Sequence, residues 1–240
     1  MKKNLLAAIL LVISAVNASA LTPGIFDHLG LGVGIGTTGI SIEAATPITS
    51  FVQMRAGVSI VPSITFNSDV NVEYLYAGHK GVSDVELEGD LGRVQGQVIF
   101  NVYPIPKCNF FIAAGAYFGG NTIVKIEGHS DELQQFHQAV DGVVIGDYKI
   151  PVDENGNVKG GIKVSSFRPY FGIGFGRVVP GKLLSFNTEL GMQIHGKSKL
   201  YTDYGEIDVP EEYDDNTFHK IMDKVTVYPT LTFRLNFRAF

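Results

Sequence analysis

The chain has 240 residues, a formal net charge of −5, 45% hydrophobic and 18% charged residues, and a single cysteine, Cys108. The acidic balance argues against a nucleic-acid partner, and one cysteine cannot form an internal disulfide framework. After residue 20 no apolar run reaches the length of a membrane-crossing helix.

Lys2 and Lys3 open the chain, an apolar run extends from Leu5 to Val16, and Ala18-Ser19-Ala20 offers a small-residue cleavage site. This predicts a secretory signal peptide over 1–20, with a membrane-anchor helix as the alternative. No cysteine follows the site, so it is not a lipoprotein signal. Cleavage would take the formal charge from −5 to −7. It would leave 21–240 as one domain of barrel size.

From there the period is two almost throughout, the mark of strands with unlike faces. Leu29, Leu31, Val33 and Ile35 alternate with glycines, and Ile40, Ile42 and Ala44 with Ser41 and Glu43. Val52, Met54, Ala56, Val58 and Ile60 alternate with Gln53, Arg55, Gly57 and Ser59. Val94, Val98, Phe100 and Val102 alternate with Arg93, Gln95, Gln97 and Asn101. In the next run Phe110, Ile112, Ala114, Ala116 and Phe118 share a face, while Phe111 and Ala113 blur the other one. Phe167, Phe171, Ile173 and Phe175 alternate with Arg168, Tyr170 and glycines. Phe186, Leu190, Met192 and Ile194 alternate with Asn187, Glu189, Gln193 and His195. The last run, Leu231, Phe233, Leu235 and Phe237, alternates with Thr232, Arg234, Asn236 and Arg238.

A soluble barrel and a membrane barrel both alternate, with opposite faces inward. The long strands and the Gly-, Gln-, Asn- and Arg-rich polar faces favour the membrane barrel. So do the connections, which alternate between short (45–50, 104–108, 179–182) and long (roughly 68–90, 127–161, 199–222). Short turns would lie in the periplasm and long loops outside. Reading 30–46 as one strand gives seven strands, an odd number. At Gly36–Gly39, GTTG, the apolar phase switches from odd to even positions, so a tight turn there makes eight; a glycine bulge is the alternative. A ten-stranded barrel stays open, through a hairpin around Asn155-Gly156 inside 127–161.

The stretch Arg168–Lys197, RPYFGIGFGRVVPGKLLSFNTELGMQIHGK, and the terminal Phe240 resemble small outer-membrane β-barrel proteins of the OmpA/OmpX-like superfamily. The stretch is similar in particular to uncharacterised outer-membrane barrels of Bacteroidetes. The resemblance implies an all-β, eight-stranded antiparallel up-and-down barrel in the bacterial outer membrane. It also implies insertion by the barrel-assembly machinery, which reads the last strand, here Phe233, Phe237 and Phe240. Phe240 falls out of phase with the apolar residues before it, which implies either a weakened insertion signal or an end bulge.

Inward-facing Glu43, Arg55, Arg93, Gln95, Gln97, Arg168, Tyr170, Glu189, Gln193, Arg234 and Arg238 are expected to form a polar network, because buried charges need partners. A narrow pore lined by the excess arginine is the sharper alternative. Glu189, His195 and Ser198 are candidates for catalysis, but parity places Ser198 on the opposite face, so they do not converge on one point. Asp153, Asn155 and Asn157 have calcium-loop spacing without the glycine and distal glutamate such a loop needs. Glu206–Asp215 is an acidic segment expected to be a solvated loop, with divalent cations between lipopolysaccharide headgroups as the alternative. Ser130–Val140 carries Leu133, Phe136 and Val140 at helical spacing behind a serine cap. GLGVGIGTTG lacks the helix that a dinucleotide fingerprint requires, so its glycines are expected to make room inside the wall. Cys108, in a short turn, offers only an intermolecular disulfide.

The reading is a monomeric barrel with no catalytic role, cofactor or metal. It meets outer-membrane lipids, lipopolysaccharide and an unknown extracellular ligand. It serves a structural, binding or adhesion function, with a narrow channel or a lipid A-modifying enzyme as alternatives.

Overall fold

The computed structural model describes residues 27–239 except 77–78, 106–107, 130, 132–133, 135–139, 146–147, 151–152, 204 and 207–224. In chain order the strands are β1 (Gly30–Gly36), β2 (Gly39–Pro47), β3 (Val52–Val61), β4 (Thr65–Tyr76), β5 (His79–Asp90), β6 (Arg93–Val102), β7 (Phe110–Phe118) and β8 (Thr122–His129). They continue with β9 (Val140–Ile145), β10 (Tyr148–Ile150), β11 (Asn157–Lys163), β12 (Phe167–Phe175), β13 (Leu184–Ile194), β14 (Lys199–Thr202), β15 (Gly205–Glu206) and β16 (Val227–Arg238). No helix among the described residues is long and apolar enough to cross a membrane.

Eight strands close into an antiparallel barrel in the order β1-β16-β13-β12-β7-β6-β3-β2. The phase switch at GTTG is a tight hairpin: Gly36 pairs with Gly39, and Gly39 has φ +84°. A left-handed backbone there favours glycine. The final strand pairs with the first, from Gly30 opposite Arg238 to Gly36 opposite Thr232, and the Ala239 N–H donates to the Leu29 carbonyl at 2.7 Å. Closure leaves the barrel without an edge.

The faces are those of a membrane-spanning barrel. Val33, Phe171, Phe175, Phe186, Leu190, Leu235 and their like are exposed on the outer wall, while Arg55, Gln95, Asn187, Glu189 and Arg234 are buried inside. The pattern is the inverse of a soluble barrel. Phe233 and Phe237 stand on the outer face of β16; Phe240 and residues 1–20, expected as a signal peptide, lie outside the described residues.

The connections expected as long loops are in large part strand. A second sheet runs β10-β9-β4-β5-β8-β11-β14-β15. β4 follows β3, β5 precedes β6, β8 follows β7, β11 precedes β12 and β14 follows β13. Within it β5 pairs β8, β8 pairs β11 and β11 pairs β14, repeating the order of the barrel strands they continue. The sheet therefore carries part of the wall upward beyond the barrel, while the β1–β2 hairpin stops at Thr37-Thr38. Phe66, Val70, Val72, Tyr74 and Tyr76 keep the period of two along β4, but their charged neighbours make the stretch read as a loop. The ten-stranded alternative fails because Asn155-Gly156 lies in a turn before β11, inside this second sheet. Of the expected helix over 130–140, Asp131 and Gln134 are helical and Val140 begins β9; its other residues lie outside those described.

Candidate functional site

Alternation aims Glu43 (β2), Arg55 (β3), Glu189 (β13) and Arg234 (β16) at the barrel axis, where none is more than 3% exposed. β3 and β13 stand opposite each other in the closed order, so the 2.6 Å contact from Arg55 Nη2 to Glu189 Oε1 crosses the full lumen. Arg234 donates through Nε to Glu43 Oε1 at 2.8 Å and through Nη1 to Glu189 Oε2 at 2.7 Å. Arg55 Nη1 lies 3.6 Å from Glu43 Oε2. Gln97 Nε2 donates to Glu43 at 2.7 Å, and the Tyr170 hydroxyl donates to Glu189. Two cations and two carboxylates thus form a neutral cluster, which is what makes their burial tolerable. Glycines give it room: a Cβ on Gly34 would come within 2.9 Å of Arg234 Cγ, and one on Gly191 would collide with the Tyr170 hydroxyl.

Beside the ion cluster one sector of the interior is aromatic and apolar, which the strand pattern did not disclose. Ile99, Tyr103, Phe111, Ala113, Tyr117 and Tyr170 form one buried cluster. Phe111 and Ala113, which blur their strand's alternation, point inward because a narrow barrel is filled by side chains. Tyr117 and Tyr170 meet edge to face at 5.3 Å.

The turn between β12 and β13 packs inward at the short-turn end. Val178 and Val179 are buried against Ala45. The Val179 N–H donates to Gln53 Oε1 at 3.1 Å, and the Val178 N–H to the Tyr103 hydroxyl at 3.2 Å. The Arg177 guanidinium lies 4.3 Å over the Tyr103 ring. Arg238, expected in the lumen's polar network, lies at this end: it contacts the His28 ring at 2.9 Å and donates to the Gly181 carbonyl at 3.3 Å. A cleft of about 780 Å³ here is lined by His28, Arg177, Lys182 and Arg238 among others.

At the opposite end, the mouth, Arg168 forms a separate group. Its Nε donates to Gln193 Oε1 at 3.2 Å and its Nη2 to Gln95 Oε1 at 2.9 Å. Nη1 donates to the Ser165 carbonyl at 2.9 Å, and the guanidinium also reaches the Gly119 and Gly120 carbonyls, both glycines having positive φ. Arg93, also expected in the lumen's polar network, is half-buried at the mouth, 5.5 Å from the Tyr228 ring. β6 and β16 are opposite in the closed order, so this contact too crosses the lumen. The buried Gln95 Nε2, Gln193 Nε2, His195 Nδ1 and Thr230 Oγ1 have no protein partner. A buried donor left unmet costs about 1–3 kcal/mol, so four around one opening demand an explanation.

The remaining candidates do not assemble. Glu189 and His195 lie roughly 20 Å apart at the usual strand rise of about 3.3 Å per residue, and Ser198 is farther still. The Asp153 carboxylate accepts the Asn155 and Asn157 N–H groups at 2.8 Å each, and the Asn157 side-chain amide at 2.8 Å. It is the hub of a turn, with its oxygens already engaged. Among the described residues no cluster of three His, Cys, Asp or Glu could hold a metal. Most of Glu206–Asp215 lies outside the described residues. Cys108 is a free, half-buried thiol.

No protein-family model and no curated protein matches the chain. Among solved structures the chain is similar to CarO2 of Acinetobacter baumannii, with a TM-score of 0.51 and 16% identity over 90% of this chain and 100% of that one. CarO of the same organism gives a TM-score of 0.48 and 18% identity over 87% and 96%. At 16% identity the likeness to CarO2 is one of fold, and the fold shared is the closed barrel.

Proposed function

We propose that the protein is an outer-membrane barrel whose lumen is sealed and which acts from its outer face. The short-turn end lies in the periplasm, and the second sheet stands above the membrane as a structural or ligand-presenting wall. Residues 1–20 serve as the export signal, and the affinity with OmpA/OmpX-like barrels belongs to the same reading. The chain acts as a monomer among outer-membrane lipids and lipopolysaccharide, delivered by the barrel-assembly machinery and without catalysis.

The observation that carries this reading is the Arg55–Glu189 pair, which joins opposite walls at 2.6 Å inside a neutral, buried cluster. The Val178-Val179 turn supports it by closing the end below. The test is a liposome-swelling assay on the refolded mature chain, with folding verified by the different gel migration of heated and unheated protein. Folded barrels should admit small sugars no faster than empty liposomes. Fast swelling would replace this reading with the narrow-channel one.

A further inference from the structure

The geometry points to a binding site for a small oxyanion, a carboxylate or a phosphate, in the mouth of the barrel above the ion cluster. It deepens the proposed function by naming the class of solute the outer end would hold. The argument starts from Arg168. A guanidinium has only donors, so the two amides it contacts must offer it their oxygens. That fixes the orientation of Gln95 and Gln193 and turns both NH2 groups away from their one charged neighbour. Both Nε2 atoms are buried and unpartnered, as are His195 Nδ1 and Thr230 Oγ1, all on residues no more than 4% exposed.

These orphans have one chemical character. Two are obligate donors, and the imidazole nitrogen and the hydroxyl can both donate. Deeper in the lumen the orphans are mixed and include the carbonyl oxygens of Gln97 and Asn101. The charge agrees with the donors. Arg93 is close enough for its charge to act on Arg168, and the polar partners of Arg168 among the described residues are amide and carbonyl oxygens. Arg93 contacts the face of Tyr228, and among the described residues no hydrogen-bond acceptor engages its N–H groups. Two cations and a ring of spare donors fit a ligand that brings negative charge and several acceptors. The short β1–β2 hairpin, level with the mouth, leaves a low side of the wall for entry.

The test is isothermal titration of the refolded mature chain in an uncharged detergent at low ionic strength. The probes are succinate, inorganic phosphate and, as the cationic control, ethylammonium. Saturable binding of succinate or phosphate, with ethylammonium silent, is the expected result; the tighter of the two identifies the kind of oxyanion. Arg93→Gln should weaken the binding at least tenfold while keeping the folded gel migration. Gln193→Leu, which removes one spare donor, should weaken it several-fold, and Lys182→Gln at the far end should change nothing. No binding by folded protein, equal binding by Arg93→Gln, or preference for ethylammonium would overturn the assignment. A swelling barrel that still binds succinate would sink the sealed-lumen reading alone, and a tight barrel that binds neither anion would sink this one alone.

Discussion

The centre of the lumen and its mouth each hold two arginines, and among the described residues only the centre answers them with carboxylates. Arg55 and Arg234 share Glu43 and Glu189, so the centre is neutral and tied wall to wall. Arg168 is satisfied by amide and carbonyl oxygens, and Arg93 by an aromatic face. The same residue type thus does two jobs. With a counter-ion it is a strut; without one it keeps its charge for something that arrives from outside.

The sharpest way to break this contrast is to remove a carboxylate from the centre. Glu189→Ala strips partners from Arg55, Arg234 and Tyr170 and leaves buried charge underpaired, a loss of about 3–5 kcal/mol. Urea unfolding of the refolded barrel reads it, and an unchanged midpoint would remove Glu189 from the cluster. Arg168→Gln at the mouth should cost less, about 1–3 kcal/mol, because it strands hydrogen-bonding groups but no opposite charge. If it proved as damaging as Glu189→Ala, the mouth would be structural in the same sense as the centre. Arg93→Gln should cost about 1 kcal/mol or less, the scale of one partly exposed cation–π contact.

The smallest effect lies outside both regions and serves as a control on them. Asp153, accepting the Asn157 side-chain amide and then two backbone N–H groups, is held below the ordinary carboxylate range. Its folded value is the lower one, so its contribution is present above the unfolded value and fades as pH falls through the folded value. Hydrogen exchange at Asn155 and Asn157 should therefore quicken, relative to exchange in the barrel, when the solution is made strongly acidic.

Much of the barrel was legible because a narrow tube imposes a period of two, and only Gly36–Gly39 had to change phase to make the count even. Glu43, Arg55, Glu189 and Arg234 could be named as interior residues from parity alone. Their grouping into one cluster could not, since that depends on stagger between strands. Arg93 and Arg238 show the limit: parity puts them on the inner face but is silent on height, and they sit near opposite ends. Phe111, Ala113 and Tyr117 were obscured because apolar filling on one sector of the interior makes both faces of β7 greasy. The strands of the second sheet read as loops in the sequence because, beyond the barrel, charge can occupy either face of a strand.

Single-channel recording across planar bilayers tests the central claim most directly. The refolded mature chain, shown to be folded by its gel migration, should leave the bilayer silent, because in the proposed reading the Arg55–Glu189 crossing and the Val178-Val179 turn close the lumen at two heights. Steady unitary conductance from the same preparation would contradict it and make the arginine-lined interior an open path.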